Sequence, residues 1–172
     1  MRNINIIQGD ITRAKVDAIV NAANPIMLGG GGVDGAIHKA AGPKLLDECR
    51  KVKATNGIRC PFGEARITLA GNLPSKYVIH TAGPIYRKEV DPESLLISAY
   101  RNCLNLALEN DCRSIAFPAI SCGAYGYPAQ AAADISIDVC SQNDFQQIGI
   151  YFYLYSSEMY DLWQSVLKSK ST

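Results

Sequence analysis

Two asparagines, four successive glycines and an aspartate fall within the segment Val20 to Ala41, which reads VNAANPIMLGGGGVDGAIHKAA. Glycine gives up more backbone entropy on folding than any other residue, so Gly29 to Gly32 make sense where backbone approaches another group closely or takes a positive φ. A phosphate is such a group. The loop leads into a helix-like stretch, Gly35 to Ala41, whose N-terminus offers unpaired N–H groups and a partial positive charge to an anion. Each residue also has a plainer reading. A bare glycine run serves as a flexible surface loop, Asn24 before Pro25 is an ordinary turn pair, and Asp34 is an ordinary helix cap.

The standard nucleotide motifs fit poorly. Gly30, Gly32 and Gly35 stand as G-x-G-x-x-G after the strand-like DAIV, but AANPIML intervenes where the dinucleotide pattern has its first glycine directly after the strand. Asp47 and Glu48, near the place of its acidic residue, lie in a helical segment. Val33 and Asp34 follow the glycines where a Walker loop needs Lys and Ser or Thr. A second small-residue loop, Ser121 to Pro128, follows the apolar run SIAFPAI and repeats the logic of the first. Two such loops can close on a diphosphate from both sides with backbone N–H groups and no lysine. Cys122 lies in this second loop, where neighbouring N–H groups could lower its pKa. A catalytic thiol also needs an oriented base, and neither His38 nor His80 is evidently placed to be one.

The chain has 172 residues, 48% of them hydrophobic, enough for a sizeable core in a single domain over residues 1–172. Seventeen basic against sixteen acidic residues leave a net charge of +1, without the electrostatic footprint of a protein that neutralises many nucleic-acid phosphates or an anionic membrane. No run approaches the roughly 18 apolar residues of a membrane span, and MRNINIIQGDITRAK lacks the long apolar stretch of a signal peptide. A soluble, cytoplasmic protein with its six cysteines reduced is expected. The cysteines form no C-x-x-C, and with two scattered histidines they make no zinc motif.

Strand-like and helix-like runs alternate throughout, which predicts a layered α/β domain. The strands read as Ile4 to Gln8, Ala18 to Asn21, Ala65 to Ala70, Tyr77 to Thr81, Ser114 to Ala119 and Ile148 to Tyr155. Helices follow Pro43, Pro92 and Pro128, each suited to a first turn, and another starts near Ser157. Leu96, Ala99, Cys103 and Ala107 mark one buried face, and Met159, Leu162 and Val166 another. Loops at the carboxyl ends of strands are where open α/β sheets bind ligands. Gly9 to Ile11, the first glycine loop and the second glycine loop all qualify.

The segments QGDIT, VNAAN with GGGGVDGAIH, CPFGEARIT, IHTAGP and FPAISCGAYGYP together resemble the macrodomains, and among them the MacroD-type ADP-ribosyl hydrolases, which include bacterial O-acetyl-ADP-ribose deacetylases. The resemblance spans essentially the whole chain in order and spacing. Cys122 stands where many relatives have threonine, and Ala82 where valine is frequent. The resemblance implies a three-layer α/β/α sandwich around a central mixed sheet of about six strands, with ADP-ribose across the strand ends. It implies Asp10 as the reader of the adenine amine, with the Ile11 backbone serving the ring. Gly31, Gly32 and Val33, with Ser121, Gly123, Ala124, Tyr125 and Gly126 opposite, hold the diphosphate. The Tyr125 ring packs on the distal ribose, and Tyr155 lies against the adenine face.

Asn24 and Asp34 then become the catalytic pair: Asn24 fixes the distal ribose and Asp34 positions and polarises a water. Asn21 is scaffold, tying strand end to loop. Ordinary glycosidases use two carboxylates because a poor leaving group must be protonated as it departs. Here Asp34 stands alone, whereas a carboxylate leaving group, with a pKa of about 4, departs unassisted. Ester-linked ADP-ribose, on aspartyl or glutamyl side chains or as O-acetyl-ADP-ribose, is therefore the expected substrate class. No cofactor and no metal are expected. The partners expected are mono-ADP-ribosylated proteins, with nucleic acid only as an ADP-ribosylated end, and the chain is expected to be a monomer. A reader module that binds ADP-ribose without cleaving it is the alternative; the presence of both Asn24 and Asp34 favours the enzyme, because adenine and diphosphate binding need neither.

Overall fold

Residues 1–172 are described by a computed structural model. The apolar runs form β1 (Ile4–Gln8), β2 (Ala18–Ala22), β3 (Ala65–Leu69), β4 (Tyr77–Thr81), β5 (Ser114–Phe117) and β6 (Gly149–Leu154). They make one mixed sheet of order β1-β6-β5-β2-β4-β3, with every pair parallel except the antiparallel β3–β4 pair at one edge. Three strands end one or two residues before their apolar runs do. After β5 the reason is Pro118, which has no N–H to offer a ladder.

The helices are α1 (Gly32–Ala41), α2 (Pro43–Arg50), α3 (Pro92–Glu109), α4 (Ala129–Cys140) and α5 (Ser157–Lys170). Pro43 and Pro92 open their helices as expected, whereas Pro128 takes the cap position before α4. Asp91 and Ser156 cap α3 and α5 by accepting from the N–H groups of Ser94 and Met159, both at 3.2 Å. Helix α1 starts three residues earlier than Gly35. Gly31 is its cap, so Asp34 lies inside the first turn rather than opening the helix.

Side chains alternate across the strands, and the two faces of the sheet bury different layers. Ile79, Ile115, Phe117 and Phe152 pack against α3, α4 and α5, while Ile19, Val78 and Ala116 face α1 and α2. The result is a three-layer α/β/α sandwich. In the first layer Phe117 and Phe152 stack at 5.6 Å, with Tyr100 and Trp163 tilted against them. Burying each such ring is worth about 1.5–3 kcal/mol. The expected face of α3 is fully buried. On α5 the buried side chains are Trp163 and Val166, with Met159 and Leu162 only half-buried. The face is turned toward Trp163 because its indole N–H reaches Ser136 Oγ on α4, at 3.2 Å. No helix is long and apolar enough to cross a membrane. All six cysteines are free.

Candidate functional site

Because β1, β2, β4, β5 and β6 are parallel, the segments that leave their carboxyl ends open on one edge of the sheet. A cleft of about 920 Å³ lies there, at the upper end of the range for small-molecule sites. Its walls are Gly9 to Ile11 after β1, Ala23, Asn24 and Gly30 to Asp34 after β2, Gly83 after β4, Pro118, Ala119 and Ser121 to Tyr125 after β5, and Tyr155 and Ser156 after β6.

One wall is the start of α1. No side chain caps it, and the N–H groups of Gly31, Gly32, Val33 and Asp34 have no partner within the chain. The facing loop is pinned from outside. Ser121 Oγ donates to Pro84 O at 2.7 Å, and the N–H of Tyr86 donates to Tyr125 O at 2.9 Å. Gly83 makes this possible, since a side chain there would collide with Ile120 and Ser121. The Ser121 hydroxyl is thus turned away, and the loop presents the backbone N–H groups of Ser121, Gly123, Ala124 and Tyr125, which also take no partner within the chain. Gly126 lies outside the cleft; its N–H closes the turn on Gly123 O at 3.0 Å. Burial pushes the Cys122 thiol up to about 12. The loop amides do not lower it, and a thiol raised in this way offers little thiolate.

Asp10 is both a cap and a free acceptor. Its Oδ1 takes the N–H and the hydroxyl of Thr12 at 2.9 and 2.7 Å, capping the 3₁₀ turn Ile11–Arg13. That leaves Oδ2 exposed at the cleft. Alongside, Tyr155 is the first residue beyond β6, with 85% of its surface exposed. Tyr153, Ser156 and Met159 line the same region and were missed in the sequence. The period of two that sends Phe152 and Leu154 into one core puts Tyr153 on the same face as Tyr155, a signal available from the strand alone.

Asn24 and Asp34 meet at Gly30. A Cβ on Gly30 would lie 3.0 Å from Asp34 Oδ2 and 3.3 Å from Asn24 Nδ2. Asn24 also holds its own loop, donating to Gly29 O at 3.1 Å and accepting from the N–H of Met27 at 3.0 Å. One N–H and one lone pair remain free. Asp34 is 4% exposed. Its Oδ1 accepts from Asn21 Nδ2 at 2.8 Å and lies 3.4 Å from His38 Nε2. Burial raises the Asp34 pKa, opposed by the Asn21 hydrogen bond and by His38. The Tyr125 hydroxyl is raised first by its own burial and then by the charge of Asp34, which places the phenol in the field of that carboxylate. Phe62 meets the Tyr125 ring edge-on at 6.5 Å. Asn21 is scaffold, but it ties the strand end to Asp34 itself. His38 was missed, although its place four residues after Asp34 on one helix was legible. No three His, Cys, Asp or Glu side chains converge as a metal site would require.

The family model of the Macro domain matches residues 20–136. A macro domain-containing protein of Vibrio parahaemolyticus is 59% identical over 167 residues, covering 97% of this chain and 98% of its own. The O-acetyl-ADP-ribose deacetylase of Escherichia coli is 51% identical over 168 residues, covering 95% and 94%. Among solved structures, the Oceanobacillus iheyensis macrodomain with ADP superposes with a TM-score of 0.91 at 44% identity, over 96% of this chain and 90% of that one. The Trypanosoma brucei macrodomain in complex with ADP-ribose does so with a TM-score of 0.85 at 38% identity, over 96% and 69%. With its sheet order, its two glycine loops and these relatives in agreement, the chain belongs to the macrodomain family.

Proposed function

We propose that the protein hydrolyses ADP-ribosyl esters: it deacetylates O-acetyl-ADP-ribose and releases ADP-ribose from ester-linked Asp and Glu side chains. Asp34 positions the attacking water and Asn24 holds the distal ribose. That the protein is an enzyme rests on relatives 51% and 55% identical over nearly the whole chain, both named O-acetyl-ADP-ribose deacetylase. The observation that carries the mechanism is the convergence of Asn24 Nδ2 and Asp34 Oδ2 on Gly30.

The rest of the ligand follows from the walls. Asp10 and the Ile11 backbone take the adenine, with Tyr155 beside it. The diphosphate lies between the N–H groups of Gly31 to Val33 and those of Ser121 and Gly123 to Tyr125. Gly126 contributes by shaping its turn. The Tyr125 ring covers the distal ribose. Strands β1 and β2 are three strand spacings apart, about 14 Å, so Asp10 and Asp34 serve opposite ends of an extended nucleoside diphosphate sugar. They are the only acidic residues lining the cleft, which leaves Asp34 without a nearby acid partner and favours a leaving group that needs none. A carboxylate with a raised pKa is also the stronger base for the proton of the attacking water.

The test is turnover of an aspartyl-linked ADP-ribose and of O-acetyl-ADP-ribose by wild type and by Asp34→Ala. The variant should lose about 10² to 10⁴ in kcat while calorimetry shows ADP-ribose binding retained. Running the reaction in ¹⁸O-labelled water locates the broken bond: label in the released acid marks attack at the acyl carbon, label on the ribose attack at the sugar. Wild type that turns over no ester would leave a non-catalytic reader, and an Asp34→Ala protein as fast as its parent would remove Asp34 from the mechanism.

A further inference from the structure

Behind Asp34, away from the cleft, runs a buried polar chain: Asn21 on β2, His80 on β4 and Thr68 on β3. Asn21 and His80 stand side by side in the β2–β4 register, and none of the three lines the cleft. Asn21 Nδ2 lies 2.8 Å from Asp34 Oδ1 and 3.1 Å from His80 Nδ1, so its two hydrogens go one to each. That requires a bare lone pair on Nδ1. The proton of the imidazole is then on Nε2, 3.0 Å from Thr68 Oγ1, with Cys49 Sγ at 3.8 Å.

We propose that His80 is a positioning residue for the reaction: its bare Nδ1 holds the Asn21 amide with the NH₂ turned to Asp34, which orients that carboxylate and favours its charged form. The inference rests on the catalytic role of Asp34 proposed above. Reversed, the amide would set its oxygen against the Asp34 oxygen, and in this tautomer against the Nδ1 lone pair as well. In the orientation present, Asn21 Oδ1 is buried with no partner within the chain. The amide is placed by the two acceptors of its NH₂ group, Asp34 Oδ1 and His80 Nδ1. Burial drives the His80 pKa down to about 3, so the acceptor stays neutral across the working pH range. The other titratable groups around Asp34 are His38 on α1, Tyr125 on the loop after β5, and Cys49 on α2 with Arg59 near it. Only Asn21 donates to Asp34 from the strand side, and a donor to the charged form lowers a carboxyl pKa.

The carboxyl carbon of Asp34 is followed by ¹³C NMR in protein labelled at aspartate side chains, assigned by its loss in Asp34→Asn, alongside the pH profile of kcat. His80→Gln moves the amide to the Nε2 position and removes the acceptor at Nδ1. It should raise the Asp34 midpoint by on the order of one pH unit and shift the acid limb of kcat upward with it, activity recovering at higher pH. His80→Asn carries its amide oxygen on the same carbon that bears Nδ1 and should restore the wild-type midpoint. Thr68→Val, which removes the acceptor that fixes the tautomer, should shift the midpoint in the direction of His80→Gln and decides the matter if that variant does not fold. An unshifted midpoint in folded His80→Gln, or an equal shift in His80→Asn, would overturn the proposal. The NMR midpoint decides it even if wild type hydrolyses no ester, an outcome that would fall on the proposed function alone.

Discussion

Gly30→Ala sets a methyl group between the two side chains proposed to do the chemistry while sparing the backbone. The added carbon would sit 3.0 Å from Asp34 Oδ2 and 3.3 Å from Asn24 Nδ2, so something must yield by a few tenths of an ångström. Asp34 is poorly placed to do so, since its Oδ1 is bonded to Asn21 at 2.8 Å. Asn24 is held at both ends of its amide by Gly29 and Met27. The methyl therefore takes the space proposed for the water, and misplacing that reacting group by about 1 Å costs on the order of 10² in rate, more than a shift of either side chain by a few tenths of an ångström. Gly30 is not among the residues with a positive φ. Alanine there adds no backbone strain and restricts the unfolded chain, a gain of about 0.4–1 kcal/mol set against the tight contact. The expected outcome is a kcat lower by about 10², with adenine and diphosphate recognition largely kept and thermal stability close to wild type. Saturating ester hydrolysis, calorimetry with ADP-ribose and a thermal melt measure the three. A folded Gly30→Ala protein with the kcat of its parent would refute the convergence of Asn24 and Asp34 as the origin of catalysis.

Asp10→Ala should weaken ADP-ribose binding by about 1.5–3 kcal/mol, the range for a hydrogen bond to a charged group; unchanged affinity in calorimetry would reduce Asp10 to a cap for Thr12. Stability should fall in acid through His80: its folded pKa is depressed to about 3, so the unfolded chain takes up the proton first, and each unit below about 6.5 costs roughly 1.4 kcal/mol. Asp34, with a raised folded pKa, acts in the opposite sense, its burial cost being relieved as it protonates. Urea unfolding of wild type and His80→Asn between pH 7 and 5 separates them, and an equal loss in both proteins would acquit His80.

The strands, the α3 face and the loops that build the cleft were legible because period-two apolar runs and prolines at helix starts act locally. The start of α1 was not, since a glycine run carries no side-chain periodicity and only the unpartnered N–H groups of Gly31 to Asp34 reveal where the helix begins. Trp163 was missed because its burial depends on Ser136 of another helix. In the site, the resemblance to the macrodomains supplied Asp10, Asn24 and Asp34, whose types alone read as turn and cap residues, and direction did not follow from type. Ser121 turns its hydroxyl to Pro84, Gly126 stays outside the cleft, and Cys122 is pushed up by burial rather than lowered by neighbouring amides. His80 lies 46 residues from Asp34 in sequence, and only the pairing of β2 with β4 brings it behind Asn21.

That pairing ties the proposed chemistry to the sheet. A single buried carboxylate must be dry enough to be a useful base and still able to hold its charge, two demands that burial alone sets against each other. Asn21 reconciles them by donating to Asp34 from β2, and it sits beside His80 only because Asn21 and His80 are register partners. Slipping β2 by one residue would turn every side chain to the other face, sending Asn21 toward α3 and stripping Asp34 of its strand-side donor. The same slip would exchange Val20 and Ile19 between two cores in which both are buried. Apolar packing on both faces of β2 therefore specifies the register, and the register in turn specifies the hydrogen bond that the carboxylate depends on.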